Sequence, residues 1–98
     1  MRDYKRKMNL YRIPKDRYRE LRQYCLCADR YDRMIIESAI ADVTDEVLGS
    51  FILRHVLSTD CGISSLQADG LPCNADTFRI YRAKFFWLLD QRLKYFGR

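Results

Sequence analysis

An all-α fold follows from three features of the sequence. Glycine and proline are scarce, with four and two among 98 residues. No stretch alternates apolar and polar residues for long enough to make a half-buried strand, and apolar residues recur three and four positions apart over most of the chain. The expected architecture is a compact helical bundle with a C-terminal helix-turn-helix and a long final helix. A chain of this length has room for one core, and its 48% hydrophobic and 13% aromatic content can close that core without disulfides or metal. Residues 1–12 read as a basic flexible arm. Residues 13–98 read as a single helical domain, with the helix-turn-helix over about 45–96.

Ile13 and Pro14 introduce the first helix, because proline costs nothing where the backbone N–H has no helical partner. Tyr18, Leu21, Cys25 and Ala28 then recur at helical spacing. Tyr31, Ile35 and Ala39, with Ile36, Ile40 and Val43, continue the pattern after a bend near Ala28 to Arg30. Thr44 or Asp45 caps a third helix whose first turn carries Asp45 and Glu46 beside the unpaired amides. Its residues Val47, Leu48, Phe51, Ile52, Leu53, Val56 and Leu57 leave little polar surface, which predicts a central position. Ser58, Thr59, Asp60 and Gly62 break it, and a short helix runs from about Ile63 to Ala68. Asp69, Gly70, Leu71 and Pro72 form the next turn. Asn74 or Asp76 caps a last helix that extends through Tyr95.

Charge is sectored. Residues 1–33 hold eleven Lys/Arg against five acids, residues 34–76 one against seven, and residues 77–98 six against one. Two basic ends flanking an acidic middle suit a polyanion, because clustered Lys/Arg displace counterions from phosphates. The charged opening, with Arg2, Asp3, Lys5, Arg6 and Lys7, argues against a signal peptide or membrane anchor and predicts a cytoplasmic protein. There Cys25, Cys27, Cys61 and Cys73 are expected to be reduced and to pack as small hydrophobes. Their spacing lacks the paired Cys-x-x-Cys of structural zinc sites, so neither metal nor cofactor is expected. The one histidine, His55, falls in the most apolar helix and reads as a core residue with a satisfied ring. No phosphate-cradling glycine loop or acid/base pair is present, and an enzyme is not expected.

A short helix, a glycine-bearing turn and a basic final helix form the order of a helix-turn-helix. In that reading Ser64 and Ser65 brace a phosphate strand, Gly70 permits the turn, and Leu66 and Leu71 lock the two helices together. On a helical wheel Phe78, Tyr81, Phe85, Leu88, Leu89, Leu93 and Phe96 share the core arc. Asp76, Ile80, Ala83, Lys84 and Trp87 lie near the opposite side with Arg79 beside them. Arg79 and Lys84 are the leading candidates for base or phosphate contact. Arg82, nearer the apolar arc, is expected either to brace the fold against Asp45 or Glu46 or to reach a phosphate. The arm, with Lys5, Arg6, Lys7 and Arg12 among Tyr4 and Tyr11, suits phosphates or a minor groove, or serves as a solubilising tail. Trp87 marks a dimer or partner surface, or is covered by the first helix.

The segment from Ile63 to Leu89 resembles the promoter-reading helix-turn-helix of the fourth conserved region of bacterial sigma factors and of small phage regulators that share it. The matching points are Ile63, Leu66, the cap-like Asn74, and Thr77, Phe78, Arg82, Ala83 and Lys84. The resemblance covers about a quarter of the chain and implies that Asp76, Thr77, Arg79 and Ile80 face DNA. Gly70-Leu71-Pro72-Cys73 in the turn and the aromatic run Phe85, Phe86, Trp87 depart from it. The stretch from Ile13 to Asp32 is similar, more loosely, to small proteins of phages and integrative elements. The likeness implies a mobile-element regulator or accessory protein on double-stranded DNA. Such a factor lacks the sigma segments that bind polymerase, and so needs partners such as RNA polymerase or another host nucleic-acid enzyme.

The alternative is a phage-encoded protein-binding inhibitor of a host nucleic-acid enzyme, of the anti-CRISPR type. Its acidic face of Glu37, Asp42, Asp45, Glu46, Asp60, Asp69 and Asp76 would enter a cationic channel, with Trp87 as an anchor. A small terminase subunit is a third reading.

Overall fold

The computed structural model describes residues 10–97. Five helices follow in order: α1 (Lys15–Leu26), α2 (Arg30–Val43), α3 (Glu46–Leu57), α4 (Ile63–Ala68) and α5 (Ala75–Tyr95). The described residues contain no strand, as the glycine-poor, helix-periodic sequence leads one to expect. None of the helices is long and apolar enough to cross a membrane.

Local chemistry sets the helix boundaries. Pro14 takes the N-cap position of α1 at φ −56°, and its carbonyl accepts the first helical bond from the Tyr18 amide at 2.9 Å. The bend after α1 is enforced by a capping box. The Asp29 carboxylate accepts from the Asp32 amide at 2.8 Å while the Asp32 carboxylate accepts from the Asp29 amide at 3.3 Å, satisfying two donors that a helix start leaves open. Tyr24 Oη also donates to Asp32 at 2.8 Å, so the same carboxylate ties α1 to α2. Asp45 caps α3 through the Leu48 amide at 2.9 Å. Asn74 caps α5 through the Thr77 amide at 2.8 Å. Gly70, in the turn between α4 and α5, sits at φ +96°, a conformation that costs a side-chain-bearing residue backbone strain.

The core takes Leu21 and Cys25 from α1, Ile36, Ala39 and Ile40 from α2, and Leu48, Ile52 and Val56 from α3. Leu66 comes from α4, and Phe78, Phe85, Phe86, Leu89 and Leu93 from α5. Helix α3 packs against α1, α2 and α4, while α5 packs most closely on α2 and then on α1. Where α2 and α3 meet, Gly49 is required: a Cβ there would stand 2.9 Å from Ile40 Cγ2.

Three expectations need correction. The centre is shared, because α5 supplies the three largest buried side chains, Phe78, Phe85 and Phe86, and acts as the spine on which α1 and α2 rest. The wheel also assigned Phe96 to the core and left Phe86 off it, yet Phe96 is 57% exposed and Phe86 fully buried. A second neighbour is the cause: α1 covers the flank of α5 that carries Phe86, with Tyr18 edge-on to its ring at 5.0 Å. Finally Tyr31, placed on the periodic stripe of α2, is 75% exposed, and Cys27 is exposed while Cys25 alone of the thiols is buried. Burial pushes the Cys25 thiol up to about 12, which keeps it protonated and inert.

Candidate nucleic-acid interface

The surface to which the sequence points is the N-terminal half of α5 with α4 and the turn before it. Ser64 and Ser65 are exposed on α4, and Asn74 is exposed but engages its side chain in capping α5. Leu66 is buried and Leu71 packs against the core beside it. The Leu71 amide returns to the Leu66 carbonyl at 3.0 Å, so the turn is pinned from both sides.

A turn at Leu10 and Tyr11, inside the segment read as an arm, lies against this half of α5. Leu10, Tyr11, Thr77, Ile80, Tyr81 and Lys84 line one groove of about 400 Å³. The Lys84 ammonium sits over the Tyr11 ring at 5.8 Å, close enough for a cation–π attraction. Trp87 meets the same ring edge-on at 5.9 Å and remains 38% exposed. Tyr11 is thus a neighbour that covers part of Trp87. The residues Lys5, Arg6 and Lys7 lie outside the described residues.

The basic side chains of α5 divide by role. Arg79 pairs with Asp76 at 3.1 Å, both partly exposed, a pair loose enough to be exchanged for a phosphate. Arg82 does not reach Asp45 or Glu46. Its Nη1 lies 3.2 Å from His55 Nε2, while His55 Nδ1 lies 2.8 Å from the Cys61 carbonyl. A guanidinium can only donate and a carbonyl can only accept, so these partners select the neutral ring with its proton on Nδ1. The His55 ring is also edge-on to Phe78 at 5.3 Å, and Arg22 from α1 approaches the His55 carbonyl at 3.5 Å. This knot joins α1, α3, α5 and the loop after α3, and it positions α5.

Burial first, and then the charges of Arg82 and Arg22, lower the His55 pKa, although the Cys61 carbonyl opposes them. The unfolded chain therefore takes up a proton at this ring, near its ordinary value of about 6.5, before the folded chain does. Stability is present above that value and is lost as pH falls through it toward the lower folded value. Thermal midpoints measured between neutral and mildly acidic pH are expected to fall with pH, and His55→Gln to flatten that slope. An unchanged slope in the variant would remove His55 as the cause.

The acidic block does not form one face. Asp42 pairs with Arg92, Asp69 with Arg54 at 2.5 Å, Asp76 with Arg79, and Glu37 approaches Arg33 at 3.9 Å. Asp60 is exposed in the loop after α3. Glu37, Asp45 and Glu46 do converge, on a groove of about 470 Å³ between α2 and α3 whose apolar lining includes Ile40, Ala41 and Leu53.

Sequence reasoning did not find the contact of Tyr11 with Lys84 and Trp87 on α5, or the Arg82–His55 contact. The apolar Leu10 and Tyr11 just ahead of Ile13 are the visible signal for the first. No sequence signal exists for the second, since residues 55 and 82 meet only through the fold. The arrangement defines an all-α bundle ending in a short helix, a glycine turn and a long helix. Comparison with protein-family models, curated proteins and solved structures returned no significant match.

Proposed function

We propose that the protein is a double-stranded-DNA-binding helix-turn-helix regulator or accessory protein of the kind that phages and mobile elements carry. The N-terminal half of α5 and the basic segment ahead of Leu10 engage DNA together. The observation that carries this reading is the placement of Tyr11 on the N-terminal half of α5, where its ring meets Lys84 and Trp87. A chain reaches at most about 3.6 Å per residue, so Lys7 is tethered within about 11 Å of Leu10, and Lys5 and Arg6 within a few residues more. A cation-rich segment tethered to a residue that touches α5 suits a phosphate backbone and an adjoining groove. Thr77, Arg79, Ile80 and Lys84 are the proposed reading residues, with Ser64 and Ser65 toward the backbone.

Fluorescence polarisation on a random duplex, between about 50 and 200 mM salt, is the test. Binding is expected to weaken steeply with salt. Lys84→Ala should lower the log–log salt slope by about one and the triple change of Lys5, Arg6 and Lys7 to alanine by about three. Equal slopes in the wild type and both variants would remove the proposed surface.

Absence of binding at the lower salt would favour the second reading, a protein-binding inhibitor of a host nucleic-acid enzyme. The groove between α2 and α3 supports it, because Glu37, Asp45 and Glu46 rim an apolar floor with no Lys or Arg in its lining.

A further inference from the structure

Negative charge gathers at the corner where α2 ends and α3 begins. Glu37 on α2, with Asp45 and Glu46 at the start of α3, rims a groove of about 470 Å³ whose floor is Ile40, Ala41, Gly49 and Leu53. The lining extends from residue 37 to residue 44 along one bank, which at ~1.5 Å per residue is about 10 Å, or two helical turns. These acids are largely left without a cation. Among the described residues no Lys or Arg pairs with Asp45 or Glu46. Glu37 is only approached by Arg33, at 3.9 Å between two half-exposed side chains, and such a pair is weak and readily exchanged. Arg54, the one cation between residues 34 and 76, is taken by Asp69 at 2.5 Å. Asp45 caps the Leu48 amide at 2.9 Å, and a carboxylate still has room to accept a second donor. The end of α2 and the start of α3 carry opposite partial charges of about half a unit, which offset each other, so the three carboxylates set the sign of the groove.

We propose that this groove binds a basic amphipathic helix of a protein partner, with apolar side chains on the floor of Ile40 and Leu53 and Lys or Arg beside Glu37, Asp45 and Glu46. The proposal rests on the protein-binding reading of the groove and is independent of DNA binding by α5. Charge complementarity selects the basic character. General attraction to the chain does not, because its net charge is +5 and a distant cation is repelled. At physiological salt, charges more than about 8 Å away are screened, so the rim acts on a nearby cation with little opposition from the basic ends. The floor selects apolar side chains at helical spacing. The walls are helix flanks whose backbone groups bond within their own helices. They offer no edge to an extended peptide, so the partner satisfies its own backbone as a helix.

The probe is a fluorescein-labelled synthetic helix of about 15 residues, with Leu on one face, Lys and Arg flanking it and Ala elsewhere. A second probe carries Ala in place of each Leu. Titrations at about 150 mM salt, without DNA or any enzyme, are followed by fluorescence anisotropy and by the protein's amide shifts in NMR spectra. The Leu-bearing helix is expected to bind in the micromolar range and to shift the amides of Ala41, Gly49 and Ser50, and the Leu-free helix to bind at least about tenfold more weakly. Ala41→Lys, and the joint change Glu37→Gln with Glu46→Gln, should each weaken binding about tenfold. Their far-UV circular dichroism should match the wild type, because all three side chains are exposed; Asp45 is kept because it caps α3. Asp60→Asn, at an exposed acid outside the groove, is the control and should bind like the wild type. No binding of the Leu-bearing helix overturns the proposal, as does binding that both groove variants leave unchanged or that Asp60→Asn weakens equally. Groove amides that shift when the protein alone is concentrated assign a second copy as the occupant and overturn it too. Equal affinity for the two probes overturns it while sparing the protein-binding reading, whose own test is inhibition of a nucleic-acid enzyme.

Discussion

Replacing Phe86 by alanine is expected to destabilise the protein by about 4 kcal/mol, which for a domain of this size lowers the thermal midpoint by roughly 20 °C. Phe86 is fully buried. Its ring lies 5.0 Å from Phe85 within α5 and 5.0 Å from Tyr18 of α1. Truncation removes most of a large side chain and leaves a cavity under α1, which its neighbours can only partly fill. The position discriminates sharply between the wheel and the fold. A wheel that puts Phe86 off the core arc predicts a change of surface size, within about 0.5 kcal/mol. Val47→Ala, at 61% exposure, is the matching control and should stay within that limit. Thermal unfolding followed by circular dichroism reads both, and a loss below about 1 kcal/mol for Phe86→Ala would place α1 elsewhere.

Arg17→Met should cost about 3 kcal/mol at neutral pH. Asp90 on α5 is 5% exposed and is held by Arg17 Nε of α1 at 2.5 Å and by Lys94 Nζ at 3.1 Å. Burial raises the carboxyl pKa. The hydrogen bonds and charges of Arg17 and Lys94 outweigh it, and the net result lies below the ordinary carboxylate value. A depressed folded value means that Asp90 contributes stability above about pH 3.9, its unfolded value, and that this is lost as pH falls through the folded value. Without Arg17 the carboxylate stays buried with only Lys94, which is 62% exposed, and the balance tips toward the burial penalty. The deficit of Arg17→Met is therefore expected to be greatest near neutral pH and to shrink in acid, where a protonated Asp90 needs no cation. Denaturant unfolding at neutral and acidic pH measures it. A double change with Asp90→Leu should recover much of the loss, because the cost lies in the stranded charge. Equal deficits at both pH values would show that Arg17 acts through packing alone.

Helix existence and ends were legible because their causes are local. Pro14, Asp45, Asn74 and Gly70 act on backbone groups within three or four residues, so much of the instruction for where α1, α3 and α5 start and α4 stops lies in short windows. The break between α1 and α2 was less legible. The periodicity of apolar residues runs across it, and the Asp29–Asp32 box that stops α1 and starts α2 is a pair of acids easily taken for solvent-facing charge.

The candidate site was legible as a list of side chains and not as an arrangement. Thr77, Ile80 and Lys84 do share a groove, as their spacing on one helix requires. Arg79 and Lys84 were expected to be open to a ligand, but Asp76 and Tyr11 already meet them. Arg82 was expected on an acid or a phosphate, and its Nη1 instead lies beside His55 Nε2. Tyr31 and Phe96 obeyed helical periodicity and still ended in water, because a periodic stripe tells which residues share a face and not whether a neighbour arrives to cover it.

The sequence by itself determined the all-α class, the helical segments, candidate caps for α1, α3 and α5, and the division of charge into two basic ends and an acidic middle. Each depends on interactions between residues a few positions apart, or on composition. Only the tertiary structure decided which faces of those helices are buried, that Leu10 and Tyr11 share a groove with Lys84 of α5, that His55 joins Arg82 and that the acids disperse into separate pairs. Apart from the local pairs Asp76–Arg79 and Glu37–Arg33, those outcomes depend on residues 15 to 74 positions apart being brought within a few ångströms, and such meetings are set by how all five helices fill one core together, not by any single stretch of chain.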